Sequence, residues 1–176
     1  MPQGSPYTRR RYHVSAPVRN ATNVLTIPVR GLVVPITDPG AANGFGTAVI
    51  ADFPDGDLLF LGAAAYLRLT KSGAGLADAF AGNLAIGSAP TADATLSGGE
   101  VDFVPSTAFT TAVNGVSAYT RYAGAAGAFT VIDNRNGALE LNFNCFITDA
   151  TLTAAASLIV DGKINIAYIH LGDDNS

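Results

Sequence analysis

The stretch from Gly137 to Leu171, GALELNFNCFITDATLTAAASLIVDGKINIAYIHL, decides how the rest of the chain is read. From Leu139 to Cys145 apolar residues (Leu139, Leu141, Phe143, Cys145) alternate with polar ones (Glu140, Asn142, Asn144). That period of two is the signature of a strand with one face on a core. Two further apolar runs, Leu152 to Val160 and Lys163 to Leu171, flank Asp161-Gly162, a dipeptide that favours the φ > 0 geometry of a tight hairpin turn. Asn136-Gly137 offers the same chemistry between Phe129 to Ile132 and Leu139 to Ile147. Four consecutive strands are therefore expected to run as a meander. The runs on either side of Asp161-Gly162 carry apolar residues on both faces, so a sheet with one wet face is not expected here. The second face is expected at a subunit contact.

Working outward, 176 residues suffice for one large domain, which buries about 70% of its unfolded surface. Charged residues are only 14% of the chain, against about 25% in typical soluble domains, and mean hydropathy is +0.29. Such a surface calls for an interface or a membrane. The longest apolar run, Leu58 to Leu67, is too short for a spanning helix, which needs about 20 residues. No membrane is expected as a partner, and assembly with other chains is. Arg9-Arg10-Arg11 is not followed by the apolar region of an export signal, so the chain is read as made and used without export. Cys145, the one cysteine, falls inside a strand pattern and is expected to be buried and inert.

Charge is unevenly placed. Residues 1 to 30 hold five arginines and no acid, whereas the remainder holds five basic and fourteen acidic residues. The segment 1–23 has three prolines and no apolar periodicity, so it reads as an extended basic N-terminal arm ahead of a body over 24–176. Its aromatic and cationic residues, Tyr7, Arg9, Arg10, Arg11, Tyr12, His13 and Arg19, are the candidate binding residues for a neighbouring subunit. One cluster of three arginines on an acidic body is a small footprint for nucleic acid, so a protein partner is favoured over DNA or RNA.

Along the body, Pro28 and Pro35 mark an edge strand, because proline cannot donate to a ladder. Thr47 to Phe53 and Asp57 to Thr70 read as strands joined by a Pro54-Asp55-Gly56 turn. Leu76 and Phe80, spaced i and i+4, predict one or two helical turns within Ser72 to Gly82. Glu100 to Val104, Thr107 to Thr111 and Ser117 to Tyr122 read as further strands. Nine or ten short strands at this spacing predict an all-β fold, an antiparallel β-sandwich of jelly-roll type.

Motifs for chemistry are missing. The two histidines, His13 and His170, do not make a metal-ligand cluster, and neither a Gly-x-Ser-x-Gly elbow nor a P-loop is present. The aspartates fall mostly at turns, where their side chains mimic backbone hydrogen bonds. No enzyme, cofactor or metal site is expected. Tyr66, Tyr119, Tyr122 and Tyr168 are scattered, and tryptophan is absent, so the sequence shows no aromatic platform for sugars.

Two stretches, LAIGSAPTADATLSGGEVDFVPST from Leu84 to Thr107 and NIAYIHLGD from Asn165 to Asp173, together resemble virion structural proteins of tailed bacteriophages. The resemblance covers roughly residues 24 to 173 and excludes the arm. At 18.0 kDa the chain is most similar in size to a head decoration, or cement, protein. The resemblance implies a β-sandwich bound to the outside of the capsid, in contact with the major capsid protein and with copies of itself, often as a trimer. It implies localisation on the virion and carries over no catalytic residue. The alternative reading is a tail- or fibre-associated module that binds host glycans.

Overall fold

The structure is a computed structural model that describes residues 21–40, 42–111, 114–124 and 129–172. Among the described residues there are nine strands: β1 (Thr22–Ile36), β2 (Gly44–Asp52), β3 (Gly56–Ser72), β4 (Ala81–Gly87), β5 (Val104–Thr110), β6 (Thr120–Gly124), β7 (Val131–Asn134), β8 (Glu140–Ile147) and β9 (Ala156–Gly172). They form two antiparallel sheets, one ordered β1-β9-β3-β6 with β7 also on β3, the other β2-β8-β4-β5. Strands β6 and β7 pair successive stretches of one flank of β3, Ala63–Leu67 and Gly56–Leu59, and so share one strand position. With that position counted once, the first strand pairs with the last, the second with the next to last, and so on inward to β4 with β5. A long antiparallel ribbon rolled up this way is a jelly roll, the sandwich expected from the sequence.

The core lies between the sheets and is built from the alternate residues of each strand. Leu58, Phe60, Leu67 and Leu69 of β3, Ile164 and Ile166 of β9, and Leu141, Phe143 and Ile147 of β8 are almost wholly buried. Phe103 ties the two layers, lying near parallel to Phe53 at 4.9 Å and edge-on to Phe60 at 5.1 Å. Cys145 is buried in this core as expected, and burial pushes its thiol up to about 12. The edge reading of Pro28 and Pro35 also holds, since β1 is an outer strand, and Pro105 sits on the other sheet's outer strand β5.

The predicted C-terminal meander does not form. Asp161-Gly162 is not a turn: β9 runs unbroken through it, flanked by β1 and β3 along its length. Gly162 has φ +143° at this point, and the Tyr66 carbonyl oxygen of β3 occupies the space a Cβ would need. Asp161 uses its carboxylate to accept the Gly31 N–H at 2.7 Å, where β1 carries an irregularity between Val29 and Leu32. Asn136-Gly137 does turn the chain, with the Gly137 N–H donated to the Asn134 oxygen at 2.9 Å. It leads from β7 in one sheet to β8 in the other instead of closing a hairpin ladder. The helical turns expected within Ser72 to Gly82 are also absent. Leu76 forms an isolated bridge to Leu152, and Leu76 and Phe80 are core anchors of an irregular connection.

Candidate functional site: the uncovered face of the five-stranded sheet

The two outer faces of the sandwich differ. On the β2-β8-β4-β5 sheet, the polar residues of β8 that the alternation places outward are nevertheless buried: Asn142 is 2% exposed and Asn144 is 0%. The connection from β4 to β5, residues 88–103, folds back over them. Asn144 donates from Nδ2 to the Ala89 oxygen at 2.8 Å and the Glu100 oxygen at 3.0 Å. Its Oδ1 accepts from the Thr91 N–H at 3.0 Å and from Thr47 Oγ1 at 2.8 Å. Within the cover, Asp102 accepts from the Ser88 hydroxyl at 2.6 Å and the Ser88 N–H at 2.9 Å. Burial pushes the Asp102 carboxyl up, opposed by those two bonds. The longer of the two stretches that carry the phage resemblance, Leu84 to Thr107, is thus largely this cover.

The β1-β9-β3-β6 sheet has no comparable cover among the described residues. Its register sets outward-facing residues in rows across the strands. One row holds Ile169, Leu59 and Val131; the next holds Val24, Ala167 and Gly62. A third holds Thr26, Asn165, Ala64 and Ala123, and a fourth holds Lys163, Tyr66 and Arg121. The small side chains of the middle rows leave a shallow groove of about 470 Å³. The exposed large hydrophobic residues Val24, Val33, Tyr66, Tyr119, Phe129, Val131 and Leu171 all lie on this sheet or at its margin. Val24 is 65% exposed and Val131 56%, unusual for aliphatic residues inside strands.

The tyrosines that look scattered in the sequence meet here. Tyr66 of β3 and Tyr119, just before β6, stack with centroids 5.2 Å apart and planes 15° from parallel. The Arg68 guanidinium lies 5.9 Å from the Tyr119 ring centre. The signal that finds this pair is long-range strand pairing, which a single sequence does not display. Tyr122 and Tyr168 point the other way, into the core, and burial raises both phenols.

Every candidate binding residue of the arm, Tyr7, Arg9, Arg10, Arg11, Tyr12, His13 and Arg19, lies outside the described residues. The first strand begins at Thr22, so Arg30, the last of the N-terminal arginines, is a strand residue, exposed beside the β1 irregularity. His170 packs at the end of β9, with its Nε2 2.8 Å from the Asp55 oxygen. Among the described residues, no three His, Cys, Asp or Glu side chains group in a way that would hold a metal ion, and no helix is long and apolar enough to cross a membrane.

No family model matches the chain, and no curated protein matches it. Two solved structures show similarity, both from infectious bursal disease virus. The Gt strain structure is 17% identical with a TM-score of 0.38, over 99% of this chain and 37% of that one. The Gx strain structure is 16% identical with a TM-score of 0.36, over 88% and 35%. The chain spans little more than a third of the length of either. The jelly-roll assignment rests on strand order and register, not on these likenesses.

Proposed function

We propose that this chain is a non-catalytic structural protein of a bacteriophage virion that binds and stabilises the capsid as a decoration, or cement, subunit. The observation that supports this reading best is the asymmetry of the sandwich. One outer face is covered by the chain's own β4 to β5 connection, whereas the other presents aliphatic and aromatic side chains to solvent. A surface of that kind gains from being covered at about 25 cal/mol per Å² of apolar area, less the costs of association. The sequence resemblance supports a capsid assembly, made of the lattice and neighbouring copies of this chain, as the setting in which that face is covered, and the basic arm supplies arginines whose planar guanidinium pairs with carboxylates of a neighbouring subunit.

The test is co-sedimentation of the purified full chain with undecorated heads of the phage that encodes it. Saturable binding and a raised threshold for head rupture are expected. Removing residues 1 to 20 leaves β1 whole and is expected to abolish binding while the body stays folded. Undiminished binding by the truncated chain defeats the role given to the arm, and absence of binding by the full chain defeats the capsid reading.

The Tyr66 and Tyr119 pair favours a second reading, a tail-associated glycan-binding module, because aromatic rings on an exposed sheet suit the apolar faces of sugars. Here the two rings face each other and Arg68 approaches Tyr119, which reduces the free ring area. Binding to a glycan array by a chain that ignores heads would establish that alternative.

A further inference from the structure

Charge runs along the uncovered face in one direction. At one end, Asp57 of β3 lies opposite Asp133 of β7. Arg135 serves both, at 3.6 Å from Asp57 and 2.5 Å from Asp133, so two carboxylates share one cation and the end remains negative. At the other end, Tyr66 is flanked by Arg121 and Lys163, and Arg68 stands opposite Asp161, leaving a positive excess. The aliphatic rows and the shallow groove lie between.

We propose that this face closes on the same face of a second copy of the chain, related by a two-fold axis that lies in the plane of contact and runs across the strands. This depends on the assembly role above only in requiring that the face be covered. Rotation about that axis reverses the strand direction, so the acidic end of each copy meets the cationic end of the other, and the groove meets the groove. A copy stacked with its strands running the same way sets like charges against like. The chain's own arm is the wrong occupant, since residues 1 to 20 contain four arginines and no acid and would lie beside Arg68, Arg121 and Lys163. The extent also fits. From the Asp57 row to the Arg68 row the face measures roughly 36 Å by 19 Å, about 700 Å². Each partner in a stable interface contributes about 800 Å². The Tyr66, Tyr119 and Arg68 group supplies the residue types that dominate binding energy in such contacts.

Sedimentation velocity of the full chain over the micromolar range, with no capsid present, tests the contact. A concentration-dependent dimer is expected. Ala123 is exposed beside the groove, so Ala123→Glu should weaken the dimer on the order of 100-fold by setting a charge and its symmetry mate near the axis. Far-UV circular dichroism and the thermal midpoint, read at a concentration where the wild type is monomeric, should stay unchanged. Arg121→Glu should weaken it as well, and adding Asp133→Arg to that variant should recover at least tenfold of the loss, because each copy then carries the reversed pattern. A wild-type chain that stays monomeric, forms a trimer, or forms a dimer that Ala123→Glu leaves intact overturns the proposal. Since heads are absent from this measurement, its failure leaves the capsid reading to be judged by co-sedimentation alone.

Discussion

Asn144→Asp is the sharpest probe of how one face of the sandwich is kept covered. The substitution is isosteric, and it leaves the two acceptor roles toward Thr91 and Thr47 in place. It turns the two donated bonds, to Ala89 at 2.8 Å and Glu100 at 3.0 Å, into contacts between a carboxylate oxygen and carbonyl oxygens. Two lost hydrogen bonds cost about 1 kcal/mol each, and leaving buried carbonyls unpaired adds about 1 to 3 kcal/mol apiece. A loss of roughly 4 kcal/mol at neutral pH is expected, or a fall of about 12 °C in thermal midpoint for a chain of this size. The introduced carboxyl is held above its unfolded value near 4 by burial and by facing carbonyls. The part of the cost due to ionisation is therefore absent below that value, where the protonated carboxyl restores one of the two donated bonds, and it grows as pH rises toward neutrality. Urea unfolding at pH 4 and pH 7, with hydrogen exchange of residues 88–103, reads both effects. A loss below about 1 kcal/mol that does not vary with pH, with exchange in the connection unchanged, would refute the idea that Asn144 pins the cover.

Three other outcomes follow from the same geometry. Gly162→Ala should destabilise by about 3 kcal/mol or more, because it adds a Cβ at φ +143° against the Tyr66 carbonyl oxygen; urea unfolding measures it. Cys145 should resist a thiol reagent such as Ellman's in the native protein and react fully in denaturant. Its raised pKa, about 12 folded against 9.0, means that stability falls as pH climbs through that interval and is unaffected below it. Arg135 holds the Asp133 carboxyl down to about 2 by direct hydrogen bonds. That stabilisation is present above the ordinary value of 3.8 and is lost as pH falls toward 2, so Asp133→Asn should flatten the acid limb of the stability profile in this window.

What the sequence makes legible is what depends on one strand at a time. Alternation between Leu139 and Cys145 correctly places Leu141, Phe143 and Cys145 on the core face, and the prolines at 28 and 35 mark an edge because a missing N–H has the same consequence in any sheet. What it hides depends on pairing across long separations. Asp161-Gly162 has turn chemistry, but β1 and β3 hold both flanks of β9 through that point, and a ladder on either side outweighs a local preference. Asn142 and Asn144 read as solvent-facing until the β4 to β5 connection is seen to lie on them. Tyr66 and Tyr119 look unrelated until β3 pairs with β6.

The bare face and two guarded edges fit the two-copy proposal together. Outer strands invite addition of another strand, the usual route to uncontrolled aggregation. Here β1 carries Pro28, Pro35 and an irregularity at Gly31, and β5 carries Pro105 next to its start, so neither offers an unbroken row of N–H donors. The covered face of the second sheet offers carbonyls and amides that Asn144 has already engaged. The β1-β9-β3-β6 face differs from these, being broad, apolar at its centre and charged at its ends. Association through a face buries side chains whose fit can be specific, whereas association through an edge joins backbones that any strand can supply. On the two-copy proposal, a chain with 14% charged residues stays discriminating by leaving open a face where shape and charge select the partner.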